Sequence, residues 1–225
     1  MCGRFAFYSP AEATAALFGV PTATELKPRY NIAPTQEIAA IRNSGEGQGA
    51  DRELVALRWG LVPFWAKDPS IGNRMINARA ETVAEKPSYR AAFRHRRCVV
   101  LADGFYEWRR ENDAKTPYFI SLSADEPFGL AGLWESWTDK QTGESLQTTT
   151  LITTAANEFM QALHHRMPVI LQSDAANEWL AGSAEPLQYA ASRTPKLKAW
   201  PVDRRVNNAR NEGEELIRPA GETIE

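Results

Sequence analysis

Cysteine is scarce in this chain, with 2 in 225 residues, and there are only 4 methionines and 3 histidines. Two cysteines cannot build a disulfide framework, which excludes the small stapled secreted scaffolds and makes a reducing cytoplasm the expected setting. With so few cysteines and histidines, none of them grouped at metal-ligand spacing, no metal site and no other cofactor is expected. No run approaches the roughly 18 apolar residues that cross a bilayer, and Met1-Cys2-Gly3-Arg4 lacks the apolar stretch of a signal peptide, so no membrane association is expected. Charge of one sign is missing too: 26 Lys and Arg face 28 Asp and Glu, a net of −2. Taken whole, that balance argues against a nucleic-acid binder, which usually shows a basic excess.

Hydrophobic residues make up 43% of the chain, enough to bury a sizeable core in one large domain or two small ones. No repeat, low-complexity block or Pro/Gly-rich linker divides it. Ser9-Pro10-Ala11-Glu12 has the form of a capping box and predicts a helix over about 10–18, closed by Gly19. Glu37–Arg42 and Glu53–Trp59 read as a hairpin whose long mobile tip holds Gly45, Gly47 and Gly49. Val99–Leu101 is strand-like, Asp103-Gly104 turns the chain, and further strands are predicted at 105–108, 117–122, 128–134 and 147–153. Helices are predicted at about 88–95, 156–163 and 174–181, the last opened by Ser173-Asp174. This irregular interleaving with hairpin-linked strands predicts a single α+β domain over 1–218, built on a mainly antiparallel sheet with peripheral helices. Residues 219–225, the end of an acidic stretch beginning at Glu212, read as a flexible tail.

Charge counted by position is uneven. Residues 1–98 carry 14 Lys and Arg against 9 Asp and Glu, a net of +5, whereas residues 99–225 carry 12 against 19, a net of −7. The densest basic run, Arg90, Arg94, His95, Arg96 and Arg97, is either a solvated helix face or a polyanion contact.

Five places carry chemistry. Initiator methionine is generally removed before a small residue, so Cys2 is a candidate N-terminal nucleophile. Its amine and thiol would titrate at about 8 and about 8.5, leaving both partly nucleophilic at neutral pH. Such an aminothiol condenses with an aldehyde to an imine and then closes to a thiazolidine; the alternative is that Cys2 merely follows Met1. Cys98, ahead of an apolar strand, reads as a small buried hydrophobe. Glu107 lies in the aromatic segment Ala102–Trp108 on the strand face of Phe105, where its carboxyl is either raised for proton transfer or simply exposed. His164 and His165 precede Arg166-Met167-Pro168; one is an acid–base candidate or a structural histidine, and adjacent histidines do not suit one metal. Asn77 and Arg79 share a face if 75–80 is extended, which suits a sugar oxygen and a phosphate, or a wet outer strand face. Trp59–Trp65 is an aromatic loop broken by Gly60 and Pro63, fit for stacking on bases or for packing in the core.

Several segments taken together resemble one family. Met1–Phe5, Arg29–Thr35, Trp59–Pro63, Ile76–Thr82, Ala102–Trp108 and His164–Pro168, in that order, are similar to motifs of the SOS-response-associated peptidase (SRAP) family, also called abasic-site processing proteins. Val206-Asn207-Asn208 resembles a further segment near the end. The resemblance implies a compact α+β domain with a barrel-like antiparallel sheet, a monomer that shields abasic sites in single-stranded DNA by covalent crosslinking. It implies a cytoplasmic protein, nucleoid-associated in a bacterium. By position it assigns Cys2 as the crosslinking residue, Asn77, Glu107 and His164 as its active-site partners, and Arg4, Arg79 and Arg166 as holders of DNA phosphates. Pro34 and Trp65 fall in loops lining the DNA groove, and His165 has no assigned counterpart. A weak lyase side activity is implied where the amine acts without the thiol.

Two other readings stay open. A cysteine peptidase could use Cys2, His164 and Glu107 as nucleophile, base and orienter, with the Met1–Cys2 bond as its evident substrate. A non-covalent single-stranded-DNA module would stack bases on Trp59–Trp65 and would not need Cys2. The crosslinking reading predicts Cys2 close to Arg79 and His164 in a basic groove.

Overall fold

The computed structural model describes residues 2–20, 27–45, 51–111, 114–182, 186–189 and 195–225. Its strands are β1 (Phe5–Phe7), β2 (Arg29–Ile32), β3 (Glu37–Asn43), β4 (Arg52–Trp59), β5 (Asn77–Arg79), β6 (Arg97–Ala102), β7 (Gly104–Glu111), β8 (Ala114–Leu122), β9 (Phe128–Thr138), β10 (Ser145–Ala155), β11 (Arg166–Pro168), β12 (Ile170–Leu171) and β13 (Leu197–Pro201). Between them, among the described residues, lie the short α-helices α1 (Ala11–Phe18), α2 (Arg90–His95), α3 (Glu158–Gln161) and α4 (Ser173–Leu180).

One sheet has five strands in the order β13-β8-β7-β1-β2. The other runs β11-β10-β4-β3-β6-β9-β12, with β5 added alongside β10. Because β9 pairs with β10 as well, the strands β10, β4, β3, β6 and β9 close into a five-stranded barrel. Closure leaves no open edge in that ring. Most pairings are antiparallel; β4 and β5 each run parallel to β10. The expected α+β domain with a barrel-like, mainly antiparallel sheet is therefore what the chain forms.

The predicted hairpin of β3 and β4 forms, with Ala40 opposite Val55, while the tip at 46–50 lies outside the described residues. Ser9 does not cap α1. Its hydroxyl goes to the Asp103 carboxylate, which also accepts the backbone N–H of Tyr8 at 2.6 Å and of Ser9 at 2.8 Å. A buried carboxylate facing two peptide N–H groups outbids a helix end for a nearby hydroxyl. Likewise α4 is preceded by Gln172, with no side-chain cap, whereas Asn157 caps α3 by accepting from Met160 N.

The segment read as a tail at 219–225 folds back on β13. Ala199 and Ile224 exchange two backbone hydrogen bonds of 2.9 and 2.8 Å, and Ile224 packs against the main core. Ala220 N adds a bond of 2.8 Å to the Pro201 carbonyl, and Glu225 pairs with Lys196 at 3.6 Å, so the free edge of β13 holds the otherwise polar segment at several points.

β1 is an interior strand, bonded to β2 on one side and β7 on the other. Phe5 and Phe7 enter the main core with Cys2, and Ala6 enters a second cluster with Tyr106 and Phe119. Ala6 pairs with Gly104, where any Cβ would collide with the Phe119 ring, so glycine is what lets β7 approach.

Candidate active site

Cys2 has no exposed surface and lies just ahead of β1. Its Sγ lies 3.9 Å from the Arg4 carbonyl, and burial, reinforced by the charge of Glu107, pushes the thiol well above its ordinary range. Asn77, at the start of β5, donates Nδ2 to the Cys2 carbonyl at 2.8 Å. The parallel pairing of Asn77 with Leu151 of β10 fixes where that amide points. Its Oδ1 is buried and meets no hydrogen-bond donor among the described residues.

Glu107 projects from β7 on the same side as Phe105, only 3% exposed, and burial holds its carboxyl above the usual carboxylate range. Its Oε1 stands 4.0 Å from His164 Nδ1. Arg166 N donates to that Nδ1 at 3.0 Å, which in the neutral ring leaves the proton on Nε2. The Arg166 carbonyl lies at 3.0 Å from the same nitrogen and takes the bond when the ring is protonated. Desolvation lowers the His164 pKa, so the neutral ring prevails at neutral pH. The exposed His165 ring lies tilted against that of His164, centroids 4.3 Å apart, and the charge of His164 lowers its pKa in turn. Cys2, Asn77, Glu107 and His164, spread over 163 positions of sequence, are thus linked in one chain of contacts: Asn77 to the Cys2 carbonyl, the Glu107 charge to the Cys2 thiol, and His164 to Glu107.

The three assigned arginines differ. Arg79 on β5 is exposed and faces away from buried Ala78, as the alternation predicts. Arg166 is spent on Glu81, with contacts of 2.6 and 3.0 Å, and on the Thr153 carbonyl at 2.7 Å. Arg4 Nη1 binds Asn31 Oδ1 at 2.6 Å and the Val206 carbonyl at 2.8 Å. Pro34 is half-buried beside Thr35, which takes a left-handed φ of 73°. The aromatic loop divides: Trp59 is fully buried against Phe5, whereas Phe64 and Trp65 are 59% and 48% exposed.

Asn31 escaped the sequence reading. It has no exposed surface and donates to the carbonyls of Asn208 and Asn211 at 3.0 and 2.9 Å, tying the segment after β13 to Arg4 and so to β1. Its signal was an amide set between Tyr30 and Ile32 in a strand. Of the basic run, Arg96 pairs with Glu135 at 2.8 Å and Arg97 lies over the Phe93 and Trp179 rings, 4.4 Å from each. Arg94 and His95 are exposed at the end of α2, where cations suit the helix dipole, and they line a cavity of about 660 Å³ that none of the Cys2 partners touches. No three His, Cys, Asp or Glu gather to hold a metal among the described residues, and none of their helices is long and apolar enough to span a membrane.

Fold and site together define a strand-rich single domain presenting a cysteine near the chain start to an Asn–Glu–His set. A crystal structure of a protein from Bacteroides thetaiotaomicron has this fold, at a TM-score of 0.83 and 28% identity over 97% of this chain and 100% of that one. The SOS response associated peptidase (SRAP) family model matches residues 1–209, and the chain belongs to that family. It is 42% identical to the abasic site processing protein YoaM of Bacillus subtilis, covering 96% of this chain and 97% of the relative. The abasic site processing protein YedK of Escherichia coli is 32% identical over 97% of this chain and 100% of its own length. The abasic site processing protein HMCES of Xenopus tropicalis is 33% identical over 85% of this chain and 66% of its own length.

Proposed function

We propose that this protein processes abasic sites in DNA by joining Cys2, freed of Met1, to the sugar aldehyde, acting as a monomer on single-stranded DNA. The observation that carries this reading is that Asn77 and Glu107 act directly on Cys2 while His164 stands beside Glu107. An abasic deoxyribose equilibrates with its ring-opened aldehyde, and the neutral His164 ring, with its hydrogen on Nε2, assists that opening as a hydrogen-bond donor to the departing ring oxygen. The Cys2 amine adds to C1′, and loss of water gives an imine. The Cys2 thiol then adds to the same carbon, its proton passing by way of Glu107 to the imine nitrogen, and the thiazolidine is complete with one water released overall. Asn77 fixes the Cys2 main chain, and its unfilled Oδ1 accepts a hydrogen bond from the new amine or a sugar hydroxyl. The gain is one of positioning and covalent capture.

The peptidase reading is less well supported. The proposed reaction begins at the Cys2 amine, which a thiol peptidase would not need, so proteolysis beyond removal of Met1 is not part of the proposal. The exposed Phe64 and Trp65 suit stacking on unpaired bases, which adds to the crosslinking reading without requiring it.

The test is to incubate protein of verified N-terminus with an oligonucleotide holding one abasic site, then to resolve products on a denaturing gel and by intact mass. The expected product has the summed mass less one water and is absent with Cys2→Ala, which retains weak strand cleavage through its amine. No adduct from protein beginning at Cys2 would refute the reading.

A further inference from the structure

Glu81 stands where the proposed function needs an anion. Its two oxygens meet the two terminal nitrogens of Arg166 at 2.6 and 3.0 Å, the fork-to-fork geometry that a phosphate would use. Arg79 lies two residues earlier, near enough for its charge to act on the same carboxylate, while the hydrogen bonds go to Arg166. The Arg166 hydrogen bonds, and to a lesser degree the charges of Arg166 and Arg79, keep that carboxyl below the usual carboxylate range, hence ionised.

The two partners are not equally anchored. The Arg166 side chain is 13% exposed and is bonded from behind by the Thr153 carbonyl, whereas the Glu81 side chain is 38% exposed. The guanidinium is a fixture, and the carboxylate covers it from the solvent side. Ion pairs at the surface are weak and readily exchanged.

We propose that Glu81 is a built-in stand-in for a nucleic-acid phosphodiester: it holds Arg166 in place while the site is empty and yields to the phosphate when DNA arrives. This rests on the DNA-processing reading above. It has a consequence for salt dependence. When a phosphate displaces Glu81 from Arg166 the freed carboxylate stays nearby and keeps cations at the site, so fewer counterions leave the DNA than when a phosphate lands on an Arg166 with no carboxylate beside it.

The test compares Glu81→Gln with the unmodified sequence in binding a fluorescent single-stranded oligonucleotide that has no abasic site, across a salt series. Glu81→Gln is expected to bind roughly threefold tighter at moderate salt, with a slope of log affinity against log salt steeper by about 0.7, the share of one phosphate on single-stranded DNA. Both gains should vanish when Glu81→Gln is placed in an Arg166→Gln background. Unchanged or weaker binding, an unchanged slope, a gain that survives without Arg166, or no binding by either protein would each overturn the proposal. Crosslinking to an abasic oligonucleotide is scored in parallel. If intact DNA binds but no adduct forms, the crosslinking reading fails while the Glu81 result stands, and the reverse pattern fails Glu81 alone.

Discussion

Asn77 donates its side-chain amide to the main-chain oxygen of Cys2 across 2.8 Å, joining residues 75 apart in the chain. The contact grips the Cys2 main chain and does not engage Sγ, the atom on which the proposed ring closure depends. Asn77→Ala should therefore slow adduct formation by about a hundredfold, the cost of losing alignment. Single-turnover gels measure the rate, and a thermal melt checks that the fold survives.

Glu107 should cost the protein stability. Its folded pKa lies above the unfolded one, so as pH rises past the ordinary Glu value the unfolded chain gives up the proton first, and stability falls until the folded pKa is passed. Glu107→Gln removes that penalty. At neutral pH and above its Tm should exceed that of the native sequence, by roughly 2–4 °C per kcal/mol recovered in a domain of this size, while adduct formation drops sharply. A lower Tm across the whole pH range would contradict the assignment.

Asp103 pins the far end of β1 through Tyr8 N, Ser9 N and the Ser9 hydroxyl. Asp103→Ala leaves two peptide N–H groups without their acceptor and should destabilise the fold by about 2–4 kcal/mol. Urea melts give the loss directly, and Asp103→Asn, which keeps one acceptor oxygen, should recover part of it.

Trp65→Ala should weaken binding of single-stranded DNA by about 1–3 kcal/mol if a base stacks there, and change stability by no more than about 0.5 kcal/mol because the ring is half exposed. Fluorescence anisotropy with an unmodified oligonucleotide separates the two effects.

The longer elements were readable because their signals are local. Alternation and turn residues placed the hairpin of β3 and β4, and the strands β6 to β10 were each found, though shorter than they are. What could not be read is what depends on distant partners. β1, β11 and β12 have 3, 3 and 2 residues, too few for any periodicity, and they exist because longer strands offer them an edge. Barrel closure by β9 on β10 and the parallel lie of β4 on β10 are likewise tertiary. The same holds at the site. Cys2, Asn77, Glu107 and His164 were nameable one at a time, but Ser9 turning to Asp103, Arg166 turning to Glu81 and Asn31 acting as a hub arise only when separate segments meet.

The position of β1 also has a mechanical meaning. A pull on Cys2 along the strand acts across the hydrogen bonds to both β2 and β7, which run perpendicular to the strand and must yield together. Arg4 bolts the near end through Asn31, and Asp103 bolts the far end. Whatever is tethered to Cys2 is thus moored to the middle of a sheet, and the load is shared across two ladders at once.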